Sequence, residues 1–187
     1  MPTRGMVMTI KRLLLLSGPM RSGKTSVAEV LERNYGFSGI STGGYLKSCL
    51  PSGGDVTRSS LQDLGDRLDL ETDFAWVIDA VAVPAMVAAP TTESWLLDAV
   101  RKPRQIERFR ALFPNVLRHV HLHAPESTLQ TRYVAGISPR APAYTLAIAH
   151  PNEVAARSLG DFADQAFDTA QASASEIAAQ IVDLWRG

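Results

Sequence analysis

The stretch LLLLSGPMRSGKTSVAEVLERNYGF, residues 13–37, decides the fold. Its four opening leucines are too few to cross a membrane and suit a short buried strand. Its second half is amphipathic. Val27, Val30 and Leu31 recur at i, i+3 and i+4 and give a helix over about 24–34 one apolar stripe. Between the two lies Gly18-Pro19-Met20-Arg21-Ser22-Gly23-Lys24-Thr25, which meets G-x-x-x-x-G-K-[ST] at every fixed position. Glycines let the chain wrap until successive N–H groups point at one anion, and the helix start adds unpaired amides and the positive dipole end. In such a loop the lysine reaches the β- and γ-phosphates of ATP and the threonine hydroxyl ligates Mg²⁺. Gly18, Met20, Arg21, Ser22, Gly23, Lys24, Thr25 and Ser26 are therefore the expected ATP contacts, with Thr25 also a metal ligand. A glycine-rich turn with a surface lysine would share part of the pattern, but a strand before and a helix after are the context that a phosphate loop demands.

Outward from this stretch, short apolar runs alternate with helical patterns. Strands are expected at 12–17, 37–40, in ESWLLDAV, at 116–123 and in DQAFDT. Helices are expected from Lys24, from Ser41-Thr42, over 61–70 and 74–88, after Pro103, from Pro125-Glu126 to Tyr133, and over 175–185. That alternation builds βαβ units. The expected fold class is α/β, a three-layer P-loop NTPase fold with a five-stranded, mainly parallel sheet, helices on both faces and a short lid. All 187 residues form one domain in this reading, with an acceptor-binding helical part over about 41–90 and a lid over about 132–157. Residues 135–151 are dense in proline and small residues and read as a loop or lid.

Composition narrows the partners. Lys plus Arg equals Asp plus Glu, so the formal net charge is zero, which argues against a general nucleic-acid binder. Trp76, Trp95 and Trp185 are widely spaced and read as packing residues, not as a stacking platform. The single Cys49 cannot form an internal disulfide, which fits a cytoplasmic protein; beside Leu50 and Pro51 it reads as a small packed hydrophobe. No segment is apolar for long enough to span a membrane. A small-molecule substrate is the expected partner, for a monomer or a homodimer.

The next acidic strand sorts the uses of a phosphate loop. It ends on Asp98, followed by Ala99 where motor ATPases place a second carboxylate to activate water, and no guanine-reading NKxD-type segment is present. Transfer to a substrate bringing its own nucleophile remains. A carboxylate at the carboxyl end of a parallel strand faces the ligand crevice, so Asp98 is a candidate to order Mg²⁺ through water; capping a helix or pairing an arginine is its plainer alternative. His119, His121 and His123 alternate along a strand and share a face, but no Cys or Asp cluster accompanies them, so a metal site there is not expected.

Three further stretches carry a family likeness. YGFSGISTGGYLK resembles the adenylate kinase-type YGF…ISTGD-L-R. LLDAVRKPRQIE is similar to LLDGFPRT…QAE of the same family and to the DGVR-P-E-E pattern of phage-type deoxynucleoside monophosphate kinases. TRSSLQDLGDRLD, residues 57–69, resembles the R-x-x-L-Q-x-L-G helix of the latter group. In order, and over most of its length, the chain resembles P-loop nucleoside monophosphate kinases, with the phosphate loop as the strong motif. The resemblance implies that Thr42 contacts the acceptor and that Lys47 stands where an arginine holds the acceptor phosphate. It implies acceptor roles for Arg58, Arg101 and Gln105, the last matching a base-reading glutamine. Arg101 falls one residue early, and Gly44 replaces the family's usual aspartate. Ser41-Thr42 equally fits a helix N-cap, and the arginines equally fit surface ion pairs.

Phosphoryl transfer needs positive charge on the moving group and exclusion of water. Arg132 and Arg140 are the lid candidates, joining Lys24 and Asp98 as the catalytic set, and Arg157 is a possible third cation; an ordinary surface loop would carry the same arginines. The expected activity is transfer of the γ-phosphoryl of Mg-ATP to a nucleoside or deoxynucleoside monophosphate. Two alternatives stay open: a small-metabolite kinase of the shikimate or gluconate type, for which Asp98 or Asp55 would act as base, and an ATP-binding regulatory protein with little turnover.

Overall fold

The computed structural model describes residues 9–50, 57–98, 100–136 and 141–186, with the side chains of Arg58 and Ser59 set aside. Its centre is strand β1 (Arg12–Ser17), whose leucines are fully buried: Leu13 and Leu15 face one layer, Leu14 and Leu16 the other. A strand apolar on both sides belongs inside a parallel sheet covered on both faces. The other strands are β2 (Ser38–Ile40), β3 (Ser94–Leu97), β4 (Leu117–His123) and β5 (Gln165–Asp168). Their order is β2-β3-β1-β4-β5, and all four pairings are parallel. The sheet expected to be mainly parallel is wholly so. β1 lies between strands reached by crossovers in opposite directions, the switch point at which such sheets open a ligand crevice.

One face is covered by α1 (Lys24–Tyr35) and α9 (Ala174–Asp183), which bury Val27, Leu31, Ile177 and Ile181 against Leu14, Leu16, Val120 and Leu122. The other carries α2 (Thr42–Ser48), α3 (Arg58–Glu71), α4 (Val83–Ala88) and α5 (Pro103–Leu112). Leu46, Leu64, Trp76, Met86, Ile106 and Phe109 pack there on Leu13, Leu15 and Leu97. Pro103 opens α5 in its first turn, where the missing N–H costs nothing. A smaller cluster is formed by α6 (Glu126–Ala135), α7 (Tyr144–Ile148) and α8 (Pro151–Ser158), gathered on Leu129, Tyr133 and Tyr144 with Met20 of the phosphate loop packed against them.

Three local expectations need correction. The stretch read as loop contains α7, because Tyr144 buries its ring at 5.3 Å from that of Tyr133 and so pins a helical turn in a proline-rich run. The helix expected over 74–88 opens as a π-helical turn, Val77–Ala82, before α4. Cys49 is exposed at the end of α2 and does not pack as a small hydrophobe.

Candidate functional site

The loop after β1 takes positive φ at two glycines and one arginine: 143° at Gly18, 67° at Arg21 and 88° at Gly23. A Cβ on Gly18 would run into the carbonyl of Leu122 on β4 and into Ser22 Oγ, so the loop can lie on the sheet only with glycine there. Gly23 leads directly into α1. Lys24 Nζ folds back over the loop and donates to the carbonyls of Gly18 and Pro19 at 2.7 and 2.9 Å. Burial, with the nearby Arg101 charge adding to it, pushes the Lys24 ammonium down to about 8; Glu153 and Asp98 oppose that shift. The fully buried Ser22 Oγ has no hydrogen-bond partner among the described residues. A basic, glycine-shaped loop with an orphaned hydroxyl and an opening helix fits a phosphate chain.

A cavity of about 510 Å³ runs beside this loop, lined by Lys24, Thr25, Ser26, Arg132, Thr169 and Ser173 among others. Arg21 and Gly23 also border it. Arg132, expected as a lid cation, spans from α6 to the turn after β5: Nη1 donates to Thr169 Oγ1 at 2.8 Å and Nη2 to the Thr169 carbonyl at 2.9 Å. Arg21 donates to the Gly136 carbonyl at 2.6 Å, tying the loop to the end of α6.

A second cavity, of about 200 Å³, opens among α2, α3, the π-helical turn and the β3–α5 connection. Thr42, Leu46, Trp76, Arg101, Lys102 and Asn152 are among its lining residues. Its floor is a polar cluster. The buried Asp69 accepts from Trp76 Nε1 at 2.8 Å and Gln105 Nε2 at 3.0 Å. Burial raises the Asp69 carboxyl, against those two hydrogen bonds and the Lys102 charge. Gln105 Oε1 accepts from the backbone N–H groups of Arg101 and Lys102 at 3.0 and 3.3 Å. Gln105 thus braces the loop that presents Arg101. Lys102 Nζ donates to Asp66 at 2.8 Å.

The remaining expected residues divide. Thr42 stands in the first turn of α2 and lines this cavity, whereas Lys47 is exposed in the last turn of α2 and is not among the lining residues. Asp98 is exposed just past β3, and its charge reaches Lys24. Arg140 and Asp55 lie outside the described residues, as does the side chain of Arg58. Arg157 joins Glu126 at 2.7 Å and Glu153 at 3.3 Å.

Sequence reasoning missed Glu153, Asn152, Asp69 and Thr169. Glu153 looks from sequence like any acid in the first turn of a helix, a common way to satisfy the helix dipole. It also missed Ser17, whose hydroxyl lies 2.7 Å from His119 Nε2 and 2.9 Å from His121 Nδ1. His119 Nδ1 faces the Phe162 carbonyl at 3.1 Å and so carries its proton. Ser17 then donates to His119 and accepts from His121, one directed chain beneath the phosphate loop. Burial lowers both imidazoles, His121 to about 4, so both are neutral. No cluster of three or more His, Cys, Asp or Glu side chains able to hold a metal ion occurs among the described residues.

No family model matches the sequence, and no curated protein does. Solved structures do. A gluconokinase from Sinorhizobium meliloti superposes with a TM-score of 0.61 at 21% identity, over 95% of each chain. A candidate kinase from Chloroflexus aurantiacus gives 0.58 at 13% identity, covering 96% of this chain and 98% of its own. A sugar kinase from Janibacter gives 0.52 at 16%, covering 94% of both. At such identities the likeness establishes the fold, the three-layer P-loop fold these proteins share.

Proposed function

We propose that the chain is a Mg-ATP-dependent phosphotransferase acting on a small acceptor that brings its own anionic oxygen, a nucleoside or deoxynucleoside monophosphate. Arg101 carries this reading: it borders the second cavity, and its charge is felt by the lysine of the phosphate loop. An acceptor phosphate held at Arg101 would therefore meet the donor phosphates within one cationic stretch. Such an oxygen is ionised at neutral pH and needs no general base, so positioning and charge neutralisation supply the catalysis. The cavity walls favour a flat ring. Leu46, Leu61, Trp76 and Val77 offer apolar surface, and Asp66 and Asp69 add carboxylates to the lining.

Within this scheme Lys24 and the amides after Gly18 bind the donor phosphates, and Arg132 with Thr169 closes the outer cavity. Thr25, exposed at the start of α1, and Asp98 are hard oxygen donors suited to Mg²⁺, which keeps several waters and few protein ligands. Bound there, the ion would neutralise charge developing on the transferred group. Gln105 and Asp69 hold the Arg101 loop in place.

A second reading, a small-metabolite kinase, draws on the size of the second cavity. Its roughly 200 Å³ falls below the roughly 300–1,000 Å³ of ordinary ligand pockets, and a gluconokinase shares the fold. ADP release from Mg-ATP across ribo- and deoxyribonucleoside monophosphates, with gluconate and shikimate alongside, separates the two. Stimulation by monophosphates alone supports the first reading; stimulation by a polyhydroxy acid alone replaces it with the second.

A further inference from the structure

The amide of Met20 is already engaged. It donates at 2.8 Å to Oε1 of Glu153, the third residue of α8. This is the third position of the phosphate loop, where a bound phosphate chain would draw on backbone donors. Glu153 is only 8% exposed, so the contact is a carboxylate buried against a loop built for anions. It does not serve its own helix: the start of α8 is capped by His150, whose Nδ1 accepts from the Asn152 amide. Arg157 lies one turn on and pairs with the same Oε1 at 3.3 Å, although its Nε finds no aligned hydrogen bond. Through Arg157 the chain of charges continues to Glu126, which also accepts from the Tyr144 hydroxyl at 2.6 Å.

Two of the loop's anion-binding groups are therefore already engaged within the protein. Met20 N–H holds a carboxylate, Lys24 holds two carbonyls of the loop, and the Glu153 charge helps to keep the Lys24 proton. A phosphate oxygen and a buried carboxylate cannot share this donor, because like charges in a poorly solvated site repel strongly. Asn152, the neighbour of Glu153, is 4% exposed and lines the second cavity. One turn of α8 thus touches both binding regions.

We propose that Glu153 is an internal anion that closes the phosphate loop of the free protein, gives way to nucleotide phosphate, and passes its displacement through Asn152 to the acceptor cavity. The proposal rests on the nucleotide reading above. Entry of nucleotide would then cost the Met20–Glu153 contact and shift α8, so that the acceptor wall is completed only after the donor has bound. An acceptor arriving before the donor would meet an incompletely assembled site, so the donor binds first.

The test is ADP affinity, by calorimetry on the full chain, for wild type, Glu153→Gln and Glu153→Asp. Glutamine removes the charge at nearly constant shape; aspartate keeps the charge but shortens the reach by one methylene, so either variant serves if the other folds poorly. Both are expected to bind ADP about tenfold more tightly than wild type. Amide hydrogen exchange on wild type should show faster exchange over residues 151–158 and slower exchange over 18–25 when ADP is added. Equal or weaker ADP binding by the folded variants, or added protection of residues 151–158, overturns the proposal. If wild type binds ADP and Lys24→Ala does not, the nucleotide reading stands whatever the Glu153 variants show. If no form binds ADP, the nucleotide reading falls and takes this proposal with it.

Discussion

The two cavities are built in opposite ways. The outer one takes most of its phosphate-facing groups from one stretch, residues 18–25: backbone amides, a helix start, positive φ values at Gly18, Arg21 and Gly23, and the Lys24 ammonium, with Arg132 and Thr169 bordering it from outside. The inner one is made of side chains drawn from α2, α3, the π-helical turn, the β3–α5 loop and α8. Backbone recognition suits a ligand part that every donor nucleotide shares, the phosphate chain. Side-chain recognition suits the part that differs between acceptors, since one substitution can alter it without refolding a loop. Under the proposed function, the division would place generality on one side of Lys24 and specificity on the other.

Lys24→Ala attacks the shared side and should have the largest effect. We expect kcat to fall about 10²–10³-fold, as for loss of a preorganised charge at the reacting group, with thermal unfolding nearly unchanged because no core contact is lost. Retention of a tenth or more of the wild-type rate would show that the loop is not the donor site. Arg101→Ala attacks the specific side. It should lower kcat/KM for the acceptor about 10–100-fold, the scale of a lost charge-assisted hydrogen bond, while ADP affinity changes less than twofold. An equal loss of ADP affinity would mean that the two cavities do not divide the labour.

Trp76→Phe reaches the specific side from beneath. It removes a donor from the buried Asp69, which should cost about 1–3 kcal/mol in urea unfolding and raise the acceptor KM without touching ADP binding. The smallest effect is one of pH. Lys24 is held down to about 8 in the free protein, whereas a lysine against phosphate keeps its proton, so binding above that pH takes up a proton. ADP affinity should therefore fall as pH rises through about 8, by at most about tenfold per unit, and Lys24→Ala should flatten the profile. A wild-type profile already flat from pH 7 to 9 would place Lys24 away from the phosphates.

The same contrast explains what was legible in the sequence. The phosphate loop, β1 and α1 could be read because their information is contiguous: four leucines, a spaced motif, then a 3.6-residue stripe. Asp98, at the end of β3, followed from strand polarity. Gln105, which the resemblance offered as a base reader, lines the second cavity, but its bonds to Asp69 and to two backbone N–H groups of its own loop could not be read from sequence. Asp69 and Trp76 are seven residues apart and meet across a break between helices, a pairing no local pattern announces. The helix at Tyr144–Ile148 was hidden by prolines and alanines, whereas in the structure Tyr144 packs on Tyr133, a contact with no local sequence signal. Glu153 was invisible for a third reason: its partner is a backbone amide 133 residues away.

The most direct test of the account follows the phosphoryl group itself. Mg-ATP labelled at the γ-position is incubated with each nucleoside monophosphate, using wild type, Lys24→Ala and Arg101→Ala, and the label is traced by chromatography. The account predicts label on a nucleoside diphosphate with wild type, none above background with Lys24→Ala, and label with Arg101→Ala only at much higher acceptor concentration. Label found solely as free phosphate, at a rate indifferent to every acceptor and to Arg101, would contradict it.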